Sequence, residues 1–170
     1  VRKTRSTSDH FCRDEGGLDY AVFTLNDNEC KLLQQNGIKT FPFRDNPLSV
    51  TSFDRHFIVG FPHEHTDSER STTQAGVGLK PVCVPVCPIA DCPQANGRLA
   101  FEIVDKGELQ SVVGLSGGPV FGINHDGDQL MVYLVAIQSA WDKASTAFAC
   151  SIEDVFIDWK QHLESQNTNR

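Results

Sequence analysis

The sequence predicts an all-β fold, a barrel or a sandwich, that ends in one helix. Short runs of strand-forming residues recur along the chain between turn residues, a pattern typical of all-β proteins. Asp126-Gly127 lies between two apolar runs, which is a strong hairpin signal. Beyond Ser151, apolar residues recur at helical spacing, so the last predicted element is an amphipathic helix over 152–163.

Runs of apolar and β-branched residues give the predicted strands. They are 18–25, 57–61, 99–104, 109–113, 119–123, 129–138 and 148–152. The strand over 18–25 is predicted to be buried. Residues 82–86 alternate with prolines, which predicts an edge strand at best, and 85–97 is predicted as loop. A short helix is predicted over 28–35, ended by Gly37, and 63–78 is predicted as a surface loop.

Length and composition predict one globular domain over 1–170. Hydrophobic residues make up 39% of the chain, and no apolar run reaches the roughly 20 residues of a membrane span. The net charge of -7, without a cluster of Lys and Arg, argues against a nucleic-acid partner. Residues 1–14 are expected to be a tail or a cut loop. Because the chain begins at Val1, we expect upstream sequence to be missing.

Six cysteines are present, an even number that permits three disulfides in an oxidising compartment without requiring any. They are Cys12, Cys30, Cys83, Cys87, Cys92 and Cys150. Cys83, Cys87 and Cys92 form a cluster in sequence, but they lack the Cys-x-x-Cys pair of structural zinc sites, and no fourth ligand has a typical spacing. We therefore predict no metal and no cofactor.

The segment Gly114-Leu115-Ser116-Gly117-Gly118-Pro119 carries the candidate nucleophile. A nucleophilic serine needs an exposed hydroxyl on a tight turn, and the flanking glycines permit such a turn. It also needs backbone N–H groups directed at the oxyanion that forms on the attacked carbonyl. The N–H groups of Gly114 and Ser116 can serve as this oxyanion hole, each worth about 3 kcal/mol in the transition state.

Residues 114–120 (GLSGGPV) resemble the nucleophile motif of the trypsin-like, chymotrypsin-fold serine peptidases. Other segments resemble elements of that family in the family's order. Residues 18–22 (LDYAV) are similar to the strand of the catalytic aspartate, 59–62 (VGFP) to an element of bacterial members, and 135–139 (VAIQS) to the strand lining the substrate groove. With the final helix, the resemblance covers roughly 15–163.

The resemblance implies a trypsin-like double β-barrel whose N-terminal barrel is incomplete. It implies a serine endopeptidase that hydrolyses polypeptides through an acyl-enzyme on Ser116, with Asp19 as the catalytic aspartate. Gly114 and Ser116 would form the oxyanion hole, and Gln110 and Ser139 would contact substrate. If Ser116 and Asp19 share one site, we expect Ser116 Oγ to lie roughly 6–8 Å from an Asp19 carboxylate oxygen. A secreted or periplasmic location is favoured.

Two positions depart from the family's pattern. Leu115 occupies the position at which activated digestive members hold an aspartate that pairs with a freshly cleaved N-terminus, so this kind of activation is not expected. Gln110 stands where trypsin-type enzymes hold an acid that selects basic side chains, and a neutral amide removes the charge reason for that preference.

The catalytic histidine is missing from its expected place. The family's order is His, Asp, Ser, with several strands between the first two. His10 alone precedes Asp19, and the residues between them are too few for those strands. The remaining histidines are predicted on the surface: His56, His63, His65, His125 and His162. We therefore expect this chain by itself to hydrolyse peptides poorly. The alternative is a trypsin-like fold without catalysis that binds peptides in its groove.

A second hydrolase class also fits the nucleophile motif. Gly114-x-Ser116-x-Gly118 matches the elbow of α/β-hydrolases, whose serine must open a helix within repeated βα units. Here the serine leads through Pro119 into β-rich sequence, and no βα repeat surrounds it. The trypsin-like interpretation is therefore preferred.

Overall fold

A computed structural model describes residues 10–15, 18–41, 49–64, 81–142 and 144–168. These residues are mostly β, as predicted, and the chain ends in a helix. The strands are β1 His10–Glu15, β2 Leu18–Phe23, β3 Arg55–Gly60, β4 Val82–Ile89, β5 Leu99–Ile103, β6 Pro119–Asp126, β7 Gln129–Trp141 and β8 Thr146–Ser151. The helices are α1 Asp27–Gln35 and α2 Ile152–Thr168, with short 3₁₀ turns at Val50–Ser52 and Pro93–Ala95.

Strands β3 to β8 form a closed antiparallel barrel in the order β3-β4-β5-β8-β7-β6. The barrel closes where β6 pairs with β3, which places Ile58 opposite Val120. Strands β6 and β7 form the predicted hairpin, with Asp126 opposite Gln129 and Gly127 in the left-handed region at a φ of 58°. Closure leaves none of these six strands with an unpaired edge.

The barrel interior holds the main hydrophobic core. Its largest fully buried side chains include Phe101, Ile58, Leu115 and Val84. Most of the remaining members are small or β-branched, among them Val120, Ala136, Ala147 and Ala149. Burying one large side chain of this kind stabilises the fold by about 1.5–3 kcal/mol, so the barrel is the stable centre of the described structure.

A two-stranded hairpin, β1–β2, lies outside the barrel. Strand β2 confirms the predicted strand over 18–25, but its expected burial is confined mainly to Tyr20, since Phe23 is 62% exposed. Tyr20 packs with Cys150 and Val155 and donates a hydrogen bond from its hydroxyl to the Asp158 carboxylate. These contacts attach the hairpin to β8 and α2.

The interpretation of 1–14 as a tail was wrong for its last part, because His10–Glu15 forms β1. Backbone pairing with β2 orders this polar segment, which carries no hydrophobic periodicity of its own. Residues 1–9 lie outside the described part of the chain, as does most of the predicted surface loop 63–78.

Both helices begin near their predicted starts and α1 ends as predicted, whereas α2 continues beyond the predicted end at residue 163 to Thr168. Asn26 and Glu29 form a capping box at the start of α1, and Gly37, at a φ of 70°, follows its last turn. At the start of α2, the Ser151 hydroxyl accepts a hydrogen bond from the Glu153 N–H at 3.2 Å. Neither described helix is long and apolar enough to cross a membrane.

Two strand predictions, for 82–86 and 109–113, were wrong. The segment predicted as an edge strand and loop is the barrel strand β4, which buries Val84 and Val86. Its prolines remove N–H donors, but their carbonyls remain, and Pro85 O accepts the Val104 N–H at 3.1 Å. Residues 109–113, predicted as a strand, are irregular, and their apolar side chains fill the barrel end through Leu109 and Val112.

His56 is 3% exposed, which corrects its predicted surface position. It lies on β3 between the Phe53 and Phe101 rings, and its Nε2 is 2.8 Å from Val50 O. Burial holds the pKa of His56 below its usual 6.5, while the hydrogen bond with Val50 opposes that shift.

The lowered pKa of His56 makes stability depend on pH. Below pH 6.5 the unfolded chain takes up a proton on this residue more readily than the folded chain, so the free energy of unfolding should fall as pH falls from about 6.5 towards the lowered folded pKa. Urea unfolding between pH 5 and 8 measures this slope. His56→Gln should flatten it relative to the unmodified chain. An unchanged slope in His56→Gln would contradict the assignment.

Candidate functional site

The Ser116 side chain lies on an exposed turn between the buried Val112 and the start of β6. Its hydroxyl donates a hydrogen bond to Ser139 O at 3.0 Å, and Ser139 is on β7. The turn is joined to β7 by the backbone as well. The Gly117 N–H donates to Gln138 O at 2.8 Å, and the Gln138 N–H donates to Gly118 O at 2.9 Å. These bonds hold the serine against the barrel wall.

The backbone N–H groups of this turn differ in their hydrogen bonding. The Leu115 N–H donates to Val112 O at 3.1 Å, and the Gly118 N–H donates to Leu115 O at 2.8 Å. Among the described residues, neither the Gly114 N–H nor the Ser116 N–H has an acceptor. Two unpaired donors on either side of Leu115, beside an exposed hydroxyl, are the donors that an oxyanion hole requires.

Glycines at this turn are required by close backbone approaches. A Cβ on Gly118 would lie 2.3 Å from Val59 O and 2.7 Å from Leu115 O. Gly114 adopts a φ of 97°, and a Cβ there would lie 2.6 Å from His63 N. The motif therefore packs its backbone directly onto the end of β3, with no space for side chains.

Asp19 lies on β2 with an exposed side chain. Its carbonyl oxygen is 3.8 Å from Cys150 Sγ, and Cys150 pairs with Ile137 on β7. The hairpin therefore meets the barrel along β7 and β8, where β7 also carries the acceptor of the Ser116 hydroxyl. The expected separation of 6–8 Å between Ser116 Oγ and the Asp19 carboxylate stays a prediction.

The two predicted substrate-binding residues have different surroundings. Ser139 lies at a β-bulge in β7, and its hydroxyl donates to Phe148 O at 3.3 Å. The Gln110 side chain is exposed, and its N–H donates to the Glu64 carboxylate at 3.1 Å. The structure joins Ser139 to Ser116 by a hydrogen bond, whereas Gln110 has no recorded bond to Ser116 among the described residues.

Within the described residues, the Ser116 hydroxyl has no hydrogen bond with a histidine. His56 is inside the barrel, His125 pairs with Asp54 at 3.2 Å, and His162 interacts with Gln166 on α2. His65 lies outside the described residues. The backbone of His63 lies beside the nucleophile turn, where its N–H donates to Val113 O at 2.8 Å.

Gln138 is a site residue that the sequence did not single out. It is 4% exposed, although it lies on the strand next to the Ser116 turn. Its Nε2 donates to Ala140 O at 2.8 Å, while its Oε1 is buried without a partner. A polar residue within the apolar run 129–138 was the available signal, because a strand position that faces a core normally holds an apolar side chain.

The cysteine cluster of the sequence does not gather into a site. Cys83, Cys87 and Cys92 are free thiols, and burial raises the pKa of Cys83. In the described ranges no group of three or more His, Cys, Asp and Glu residues is placed to hold a metal ion.

Comparisons with protein-family models, with curated proteins and with solved structures find no match for this chain. The chemistry of the site is therefore argued from its own geometry.

The turn should tolerate a methyl group at Gly117 far better than at Gly118. Gly118→Ala forces a Cβ into two carbonyl oxygens and should cost about 2 kcal/mol or more in unfolding free energy. Gly117→Ala meets no atom within 4 Å, so only its φ of 84° opposes it, at about 1 kcal/mol. Urea unfolding of both variants measures the difference, and equal costs would show that the turn is not packed as described.

Proposed function

We propose that this chain is a trypsin-like serine endopeptidase domain in which Ser116 is the acylated nucleophile. The observation that carries the proposal is the Ser116 turn itself. It combines an exposed hydroxyl with two backbone N–H groups, of Gly114 and Ser116, that have no acceptor among the described residues. The turn precedes β6 of a closed six-stranded antiparallel barrel, which supports assignment as the C-terminal barrel of a double-barrel fold.

The β1–β2 hairpin is assigned to an incomplete N-terminal barrel. It lies outside the closed barrel, carries Asp19, and packs on β8 and α2 through Tyr20. In this arrangement Asp19 would orient an imidazole and stabilise its protonated form, and the imidazole would bridge Asp19 and Ser116.

The proposed reaction follows from these positions. Ser116 Oγ attacks the carbonyl carbon of a peptide bond, and a base removes the hydroxyl proton. The N–H groups of Gly114 and Ser116 bind the oxyanion, the amine leaves with a proton, and water then hydrolyses the acyl-serine. Ser139 O holds the hydroxyl in the free protein, and Gln110 and Ser139 are assigned to the substrate groove.

The alternative is a peptide-binding module without catalysis. One observation favours it: within the described residues, a carbonyl oxygen rather than a histidine is the hydrogen-bond partner of the Ser116 hydroxyl. Loss of the base removes most of the rate of a Ser-His-Asp triad, about 10⁴-fold or more, even where the oxyanion hole survives. A groove beside Ser116 could still bind an extended peptide.

Added imidazole should distinguish the two functions. We expect slow release of p-nitrophenolate from p-nitrophenyl acetate by the chain alone. Imidazole should produce a burst of about one equivalent above the reaction in free solution, because it supplies the base at Ser116. Ser116→Ala should abolish the burst, and Ser145→Ala, an exposed serine, should retain it. Absence of a burst at any imidazole concentration would support the binding module and overturn catalysis by this site.

His63 provides the internal check on this experiment. If the chain alone turns over substrate efficiently and Ser116→Ala stops it, a base is already present. The same assay on His63→Ala then tests the histidine whose backbone lies beside the turn. Turnover lost in both variants would show that the expectation of a missing base was wrong.

Asp19 should affect the rate of acylation only when imidazole is bound beside it. In the rescue assay Asp19→Asn should lower the burst rate about tenfold or more, because an amide no longer stabilises imidazolium. The reaction without imidazole should change little. Asp128→Asn, an exposed residue of the β6–β7 turn, is the matched control. Equal burst rates in Asp19→Asn and the unmodified chain would remove Asp19 from the site.

A further inference from the structure

Among the described residues, two buried side-chain atoms on β7, the strand bonded to the Ser116 turn, have no hydrogen-bond partner. They are Gln138 Oε1 and Trp141 Nε1. One is an acceptor and the other a donor. The assignment of the Gln138 amide is fixed by its environment, since its other end is 2.8 Å from Ala140 O and must therefore be the NH₂ group. A buried polar group left unpaired costs about 1–3 kcal/mol, so each requires an explanation.

A β-bulge places both side chains on the same face of β7. Gln138 pairs with Ala149 and Trp141 pairs with Ala147, and the register shifts between Gln138 and Ala140. Directly paired residues of antiparallel strands lie on one face. Ala147 and Ala149 both belong to the barrel core, so Gln138 and Trp141 both face the interior. Without the bulge at Ser139, alternation would place them on opposite faces.

The same bulge connects β7 to Ser116 by a hydrogen bond. Ser139 is the bulged residue, and its carbonyl accepts the Ser116 hydroxyl at 3.0 Å. The backbone of Gln138 exchanges hydrogen bonds with Gly117 and Gly118. Strand β7, which carries both side chains, is therefore bonded to the Ser116 turn through Gln138 and Ser139.

An irregular segment covers this end of the barrel. Leu109 and Val112 pack into the core, and the Lys106 ammonium lies 5.1 Å from the centre of the Trp141 ring. Lys106 also donates to Ala144 O at 3.2 Å. This segment is not paired as a strand, and the site proposed below requires a ligand side chain to displace part of it.

We propose that Gln138 Oε1 and Trp141 Nε1 form a recognition site for a side-chain carboxamide, so that the preferred peptide carries Gln or Asn on the acyl side of the scissile bond. A carboxamide offers an NH₂ donor to Gln138 Oε1 and a carbonyl acceptor to Trp141 Nε1. A carboxylate offers acceptors alone and would leave Gln138 Oε1 unpaired. An aliphatic side chain would leave both atoms unpaired. The inference rests on the proposed function for the peptide nature of the ligand.

Binding of product-like peptides to the unmodified chain tests this site without requiring catalysis. The probes are acetyl-Ala-Ala-Ala-Gln, its Asn, Glu and Leu counterparts, and acetyl-Ala-Ala-Ala-Ala. The readout is the indole N–H resonance of Trp141 in a ¹H–¹⁵N spectrum, with the Trp159 resonance as internal control. We expect the Gln or Asn peptide to shift the Trp141 resonance and to bind at least about tenfold more tightly than the Glu and Leu peptides.

Two variants locate the preference. Gln138→Met removes the acceptor at similar volume. It should weaken the affinity for the Gln peptide about tenfold and leave the affinity for the Leu peptide unchanged. Gln129→Met, at the exposed end of β7, is the control and should change neither affinity. Equal affinity for all peptides, or a Trp141 resonance that no peptide shifts, would overturn the proposal and assign the two atoms to a buried water.

The outcomes separate this inference from the proposed function. A Gln preference without the imidazole-dependent burst supports the carboxamide site and rejects catalysis. A burst at Ser116 without a Gln preference supports catalysis and rejects the carboxamide site.

Discussion

The antiparallel pairing of β3 with β6 closes the barrel, and the position of the Ser116 turn depends on that closure. Strand β6 begins directly after Gly118, and its pairing brings Ile58 opposite Val120. The turn is thereby pressed against the end of β3, where the absent side chain of Gly118 leaves room for Val59 O. An open sheet would leave the turn without this second wall, so the conformation of the nucleophile segment is a consequence of closure.

Burial of the Leu115 side chain fixes the backbone orientation of the turn. Leu115 is 1% exposed and lies between two exposed residues, with its Cδ2 packed against Gly60. Burying this side chain directs the peptide so that the Leu115 N–H faces Val112 O. The N–H groups of Gly114 and Ser116, on either side, are left without acceptors. The leucine that departs from the family's pattern in the sequence thus has a structural role in the turn.

The sequence predicted elements whose signals are local. Both helices and the β6–β7 hairpin each depend on nearby residues, such as Asn26 with Glu29 or the glycine at 127. The misassigned segments depend on tertiary context. Strand β4 tolerates its prolines because closure supplies two neighbours, and 109–113 is irregular although its residues favour strand. The separation of Asp19 from Ser116 involves residues far apart in sequence, which periodicity does not report.

Stability is distributed unequally between the two parts of the proposed site. Ser116 and the unpaired N–H groups are built on the barrel, whose core within the described residues includes Phe101, Ile58 and Leu115. Asp19 is on a hairpin whose buried contacts come from Tyr20 with Cys150 and Val155. A catalytic triad requires its groups to be held within about 0.5 Å. The Ser116 turn is held by several backbone bonds to the barrel, whereas Asp19 depends on the fewer contacts that attach the hairpin. Peptide recognition beside Ser116 therefore requires the barrel, whereas catalysis by a triad also requires a fixed position of the β1–β2 hairpin.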